Sequence, residues 1–177
     1  MNDVAGPKTD EQHLATLGRL TRGALHEIAN PLLALVGSAE FALTELEPGS
    51  KGYARVATVH STGLEIAEII RALQGFTRLW KEPPRRLSLA DAAAEAVALV
   101  RLVSATPDVD VLVRAEAEPR IHEAPGLVAV GLLDLLLDAL ATAQRGDVIE
   151  LVVREEGGDA VAALAGVAEV RFPRVDA

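Results

Sequence analysis

The chain has 177 residues, half of them apolar and only 3% aromatic, so one or two small domains with a core of Leu, Val, Ile and Ala are expected, which favours packed helices and a small sheet over an aromatic-rich sandwich. Its net charge of −9 argues against nucleic acid as a partner, since phosphate contacts need clustered Lys and Arg, and the lack of cysteine excludes disulfides, thiolate metal sites and cysteine nucleophiles. No uninterrupted apolar run approaches the ~18 residues of a membrane span, and the polar start from Met1 to Gln12 is unlike a signal peptide, so a cytoplasmic protein with no membrane partner is expected.

Residues 1–10, polar and containing Gly6 and Pro7, are expected to form a flexible tail. From Leu14 a helical period sets in. At ~100° per residue, Leu14, Leu17, Thr21, Leu25, Ile28, Leu32, Leu35, Val36, Ala39, Leu43 and Leu46 share an arc of roughly 100°. The turn Glu47-Pro48-Gly49-Ser50 ends this pattern. A second helix is predicted from about Lys51 to Lys81, with Val56, Val59, Ile66, Ile70 and Leu73 on one side, and Glu82-Pro83-Pro84 stops it. Two long helices joined by a short turn make a helical hairpin over residues 11–82. Its apolar stripes are longer than an isolated pair can shield from water, which predicts a homodimer closed as a four-helix bundle.

Residues 85–177 read differently. Leu87 opens a short extended segment. Ser88 is placed to cap a helix from Leu89 to about Ser104, with Asp91 at the third helical position. The alternating run Val109 to Arg114, within Pro107–Ala117, predicts a strand. Pro125-Gly126 precedes a helix from about Leu127 to Ala143, which Gln144-Arg145-Gly146-Asp147 ends. Val148 to Arg154, the turn Glu156-Gly157-Gly158-Asp159 and Ala160 to Leu164 predict a β-hairpin, and Glu169 to Phe172 a last strand. The fold class is therefore α+β, a helical hairpin followed by a small α/β sandwich.

The chemistry concentrates at His26-Glu27-Ile28-Ala29-Asn30-Pro31. His26 lies roughly 120° from the centre of the apolar stripe and is expected to point outward. Glu27 can orient the imidazole or accept its proton. Asn30 follows one turn later on the same face. Pro31 removes a helical hydrogen bond and favours a bend beside the histidine. His13, His60 and His122 have no such context and are expected to be solvated surface residues.

This segment resembles the H-box of two-component sensor histidine kinases, in which the histidine carries a phosphoryl group. Glu65 to Arg78 resembles the end of the second helix of their dimerisation and phosphotransfer domain. Leu89 to Val103 resembles the first helix of their ATP-binding domain, and Gly131 to Leu140 their N-box. The similarity extends over roughly residues 14 to 155. It implies that His26, Glu27 and Asn30 form the catalytic group and that the partners are response-regulator receiver domains. Leu33, Gly37 and Glu40 are the candidate docking contacts.

The chain departs from the family downstream. Where active kinases place asparagines toward ATP phosphates and magnesium, this N-box carries Asp134 and Asp138, one turn apart. Such a pair can hold Mg²⁺, but two carboxylates without a basic partner repel a triphosphate. The acidic, glycine-rich adenine segment and the second glycine loop have no counterpart, and the stretch after Leu151 is expected to be too short for a lid and closing strands. The α/β part thus resembles a truncated, degenerate kinase ATPase domain with a vestigial N-box. The expected activity is that of a histidine phosphotransferase of a phosphorelay, with no cofactor of its own and Mg²⁺ on the partner receiver. An unconventional ATP-dependent autokinase and a non-catalytic scaffold that binds response regulators are the alternatives.

Overall fold

The computed structural model describes residues 10–103, 108–164 and 168–175, with the side chains of 10–17 and 19 left aside. The expectations for residues 1–9, for the side chains of His13, Leu14 and Leu17, and for Ser104 to Pro107 lie outside the described residues. The fold is α+β, and the chain divides into two compact units, Met1–Thr77 and Arg78–Ala177.

The first unit is built from helices α1 (Asp10–Glu45) and α2 (Lys51–Leu79). Gly49 takes a positive φ of 89° at the turn between them, where a side chain would be strained. The Ser50 hydroxyl then accepts a hydrogen bond from the Tyr53 amide at 3.1 Å, capping the start of α2. Pro31 sits inside α1 without ending it. Because proline has no N–H, the Glu27 carbonyl lacks its ordinary helical donor.

The seam between the helices is narrower than the predicted stripes. Leu25, Val36 and Ala39 on α1 are buried, together with Gly63, Ala67, Ile70 and Thr77 on α2. Gly63 on α2 leaves room for a side chain of α1; a Cβ there would fall 2.7 Å from Val36 Cγ2. Larger members of both stripes stay open to solvent, with Ile28 52% exposed, Leu35 49%, Val59 48% and Ile66 42%. Thr21 is exposed as well. Two helices in contact bury only the facing arc of each, so the flanking residues of a broad stripe need a further surface to cover them.

The second unit begins with β1 (Arg85–Ser88) and α3 (Leu89–Val103), followed by β2 (Asp110–Ala115), β3 (Arg120–Glu123), α4 (Pro125–Thr142), β4 (Val148–Glu156), β5 (Asp159–Leu164) and β6 (Ala168–Pro173). Ser88 caps α3 as expected, its hydroxyl accepting from the Asp91 amide at 3.2 Å. Helix α4 starts at Pro125 rather than after it. The first helical position has no intrahelical use for an N–H, so proline fits there without loss. β3 was not foreseen; it pairs antiparallel with β1, Leu87 opposite Ile121.

The larger sheet has the order β2-β4-β5-β6, with β2 parallel to β4 and the other pairs antiparallel. The predicted hairpin is present. Gly157 and Gly158 both have positive φ, 62° and 94°, as a tight two-residue connection between twisted strands demands. Strand alternation places Val111, Leu151, Val153, Ala160, Ala162, Leu164 and Phe172 on one face of the sheet. They form a core with Leu89 and Val100 of α3 and Val128, Leu132 and Leu136 of α4. By length and composition α4, at 18 residues and a mean hydropathy of 1.7, is apolar enough to cross a membrane. Its Val128, Leu132 and Leu136 are instead fully buried in this unit, and Asp134 and Asp138 interrupt the apolar run on its exposed side.

The opposite face of the sheet is covered by charge. Arg154 on β4 pairs with Glu156 at 2.9 Å and with Glu169 on β6 at 3.1 Å. Arg171 on β6 pairs with the same two carboxylates, at 3.2 and 2.6 Å. The four side chains close a ring across β5, in which Val161 is fully buried and Ala163 nearly so. The hydrogen bond from Arg154, then the charges of Arg171 and Arg154, hold the Glu156 carboxyl below its ordinary range.

Candidate functional site

The geometry of α1 gathers five of the predicted residues into one line. His26, Asn30, Leu33, Gly37 and Glu40 follow one another at three- and four-residue steps, which keeps them within an arc of roughly 80°. All five are exposed, Leu33 at 59%. A Cβ on Gly37 would meet nothing within 4 Å, so the helix surface there is open. The buried residues Leu25, Val36 and Ala39 lie roughly 100° round the helix from His26. The stripe faces solvent for the same reason that the seam is dry. Apart from Leu33, polar and small residues fill that side of the period, and Leu, Val and Ala fill the seam.

Glu27 is exposed as well, but it is not joined to His26. Neighbours in a helix diverge by ~100°, and neither His26, Glu27 nor Asn30 makes a side-chain hydrogen bond to another described residue. Among the described residues nothing bonds to either imidazole nitrogen. Among the remaining histidines, His122 is exposed and His60 half-buried.

Asp134 and Asp138 stand one turn apart on the exposed side of α4. No third histidine or acid joins them, since no group of three or more potential metal ligands occurs among the described residues. Among the described residues neither carboxylate bonds to a basic side chain.

Sequence reasoning passed over Arg22, one turn before His26. It lies at the edge of the exposed stripe nearest the buried seam, and its Nη2 donates to the Thr77 carbonyl of α2 at 3.3 Å. Its Nε is buried and has no hydrogen-bond partner among the described residues. The signal was present in the spacing, since Arg22 is the one arginine or lysine between Thr21 and Asn30, but only the packing shows where its guanidinium goes.

No protein-family model and no curated protein matches the chain. Among solved structures it is similar to the histidine kinase ThkA in complex with the response regulator protein TrrA, at 13% identity and a TM-score of 0.41, over 87% of this chain and 46% of that one. It is also similar to full-length ShkA in complex with AMPPNP, at 18% identity and a TM-score of 0.47, over 89% of this chain and 33% of that one. A histidine kinase from Burkholderia phymatum STM815 matches at 14% identity and a TM-score of 0.42, over 80% of this chain and 65% of that one. The chain spans less than two thirds of the length of each of these structures.

Proposed function

We propose that the chain is a dimeric, cytoplasmic histidine phosphotransferase that moves a phosphoryl group between receiver-domain aspartates through His26. The observation that carries this reading is the exposed stripe His26, Asn30, Leu33, Gly37, Glu40 with Glu27 beside it. It combines an unencumbered imidazole with two turns of open helix on which a partner can seat. Gly37, with nothing near it, allows close approach of another backbone, and Leu33 supplies an apolar anchor.

In the proposed reaction a neutral imidazole nitrogen of His26 attacks the phosphorus of an aspartyl phosphate on a docked receiver. The N–P bond forms as the P–O bond breaks, and the aspartate leaves as a carboxylate. The proton on the other ring nitrogen passes to Glu27 or to water. In the second half-reaction the aspartate of another receiver attacks phosphorus, the N–P bond breaks and the imidazole regains its proton. Positioning supplies most of the rate, and the magnesium that neutralises phosphoryl charge belongs to the receiver.

Dimerisation is supported by the apolar groove of about 330 Å³ that Leu32, Leu35, Thr58, Val59, Thr62, Gly63 and Ile66 line along the hairpin. A second hairpin laid there removes Leu35, Val59 and Ile66 from water.

The test is label transfer from a phosphorylated receiver, with ATP alone in parallel. Label that reaches the wild type from the receiver but not His26→Ala supports the phosphotransferase. Label from ATP alone replaces it with an autokinase, and no label by either route from a receiver that binds replaces it with a scaffold.

A further inference from the structure

We propose that Arg22 is a second functional residue of the His26 site, a phosphate-binding side chain held in reserve on the Thr77 carbonyl until His26 is phosphorylated. The inference rests on the phosphotransfer reading and deepens it by naming the group that receives the new charge.

Arg22 and His26 are related by i, i+4, so their Cβ atoms stand about 5–6 Å apart on neighbouring turns of α1. An arginine spans that distance easily. A phosphoryl group on His26 brings nearly two negative charges to a stretch in which Glu27 is already acidic. Arg22 is a basic residue one turn away, placed to offset it.

The present bonding of Arg22 is incomplete. One terminal nitrogen donates to Thr77 O at 3.3 Å, a long hydrogen bond, and the buried Nε donates to no acceptor among the described residues. A buried donor without a partner is costly and uncommon. Phosphate oxygens suit the Nε and Nη pair of a guanidinium, because two parallel N–H donors match two oxygens and both bonds are charge-assisted. Phosphorylation would supply the acceptor that Nε lacks.

The bond that Arg22 would give up is informative. Thr77 lies in the last turn of α2, where carbonyls lose their helical donors. The Lys81 amide, four residues on, donates to Arg78 rather than to Thr77. Arg22 therefore caps the end of α2 from α1. Moving it to the phosphoryl group uncaps that carbonyl, so the charge on His26 is reported at the far end of the second helix.

The experiment is NMR of the full chain labelled with ¹⁵N-arginine and ¹³C-threonine, before and after chemical phosphorylation with potassium phosphoramidate. His26→Gln separates the effect from modification of other histidines, and mass spectrometry locates the phosphate. The expected result is that the Arg22 Nε–H resonance shifts, its exchange with water slows by about fivefold or more, as one added hydrogen bond implies, and the Thr77 carbonyl resonance moves with it. None of these changes should appear in His26→Gln. The ³¹P shift of phosphorylated His26 should differ between wild type and Arg22→Gln, with Arg22→Lys between them, because a lysine restores the charge but not the paired donors. Arg22 and Thr77 resonances that stay still while His26 is demonstrably phosphorylated overturn this inference and leave the phosphotransfer reading intact. Failure of phosphoramidate to modify His26 in the wild type overturns both.

Discussion

Replacing Gly63 by alanine tests the seating of the Val36 side chain against Gly63 in the seam between α1 and α2. Two effects oppose each other. Inside a helix alanine is favoured over glycine by about 1 kcal/mol. The new methyl, however, falls 2.7 Å from Val36 Cγ2, well inside van der Waals contact, with Leu35 Cδ2 at 3.7 Å. Val36 is buried in the seam and has little room to yield, and overpacking of this kind costs about 1–3 kcal/mol. The expected net effect is a loss of about 1 kcal/mol. Val36→Ala alone removes two buried carbons and should cost about 2 kcal/mol. In the double variant the methyl introduced on Gly63 occupies part of the space that Val36 vacates, so the loss should fall short of the sum by about 1 kcal/mol or more. Urea denaturation followed by far-UV circular dichroism, at fixed protein concentration, measures all three. Gly75→Ala is the control, since a Cβ there meets nothing within 4 Å and should stabilise α2 by up to about 1 kcal/mol. A Gly63→Ala variant that is stabilised like the control, and additive with Val36→Ala, would refute the seating of Val36 against Gly63.

Ser88→Ala removes the cap on α3 and leaves the Asp91 amide without its acceptor; a loss of about 1 kcal/mol is expected by chemical denaturation, and Ser88→Asp should recover part of it. The charged ring predicts a pH effect of defined sign. The carboxyl of Glu156 is held below its ordinary 4.5, so its contribution to stability is complete above that pH and fades as pH falls through the lower folded value. A carboxyl titration by NMR should therefore place the Glu156 midpoint below 4.5, and Arg171→Gln should move it back up toward that value. A midpoint unmoved by Arg171→Gln would mean that the ring does not persist in solution.

The helices of this chain are legible in its sequence because their causes are local. A 3.6-residue period, a proline or glycine stop and the Ser88–Asp91 pairing all act within a few residues, and α1, α2, α3 and α4 stand within a few positions of where those signals put them. The same holds for the β4–β5 hairpin, whose two glycines specify the turn, and for the outward direction of His26, which follows from its angle to the apolar stripe. What the tertiary structure decided depends on residues far apart. β3 is short, with a single fully buried side chain, Ile121, and becomes a strand by pairing with β1, so no local pattern announces it. The parallel match of β2 to β4 is a choice of register between segments separated by a whole helix. On α2 hydrophobicity pointed to Val59 and Ile66, whereas the seam buries Gly63 and Ala67, because a large side chain such as Val36 on the other helix seats where the facing surface is low. Arg22 was invisible as part of the site for a related reason. Its partner, the Thr77 carbonyl, lies on the other helix, and a backbone acceptor carries no mark in the sequence.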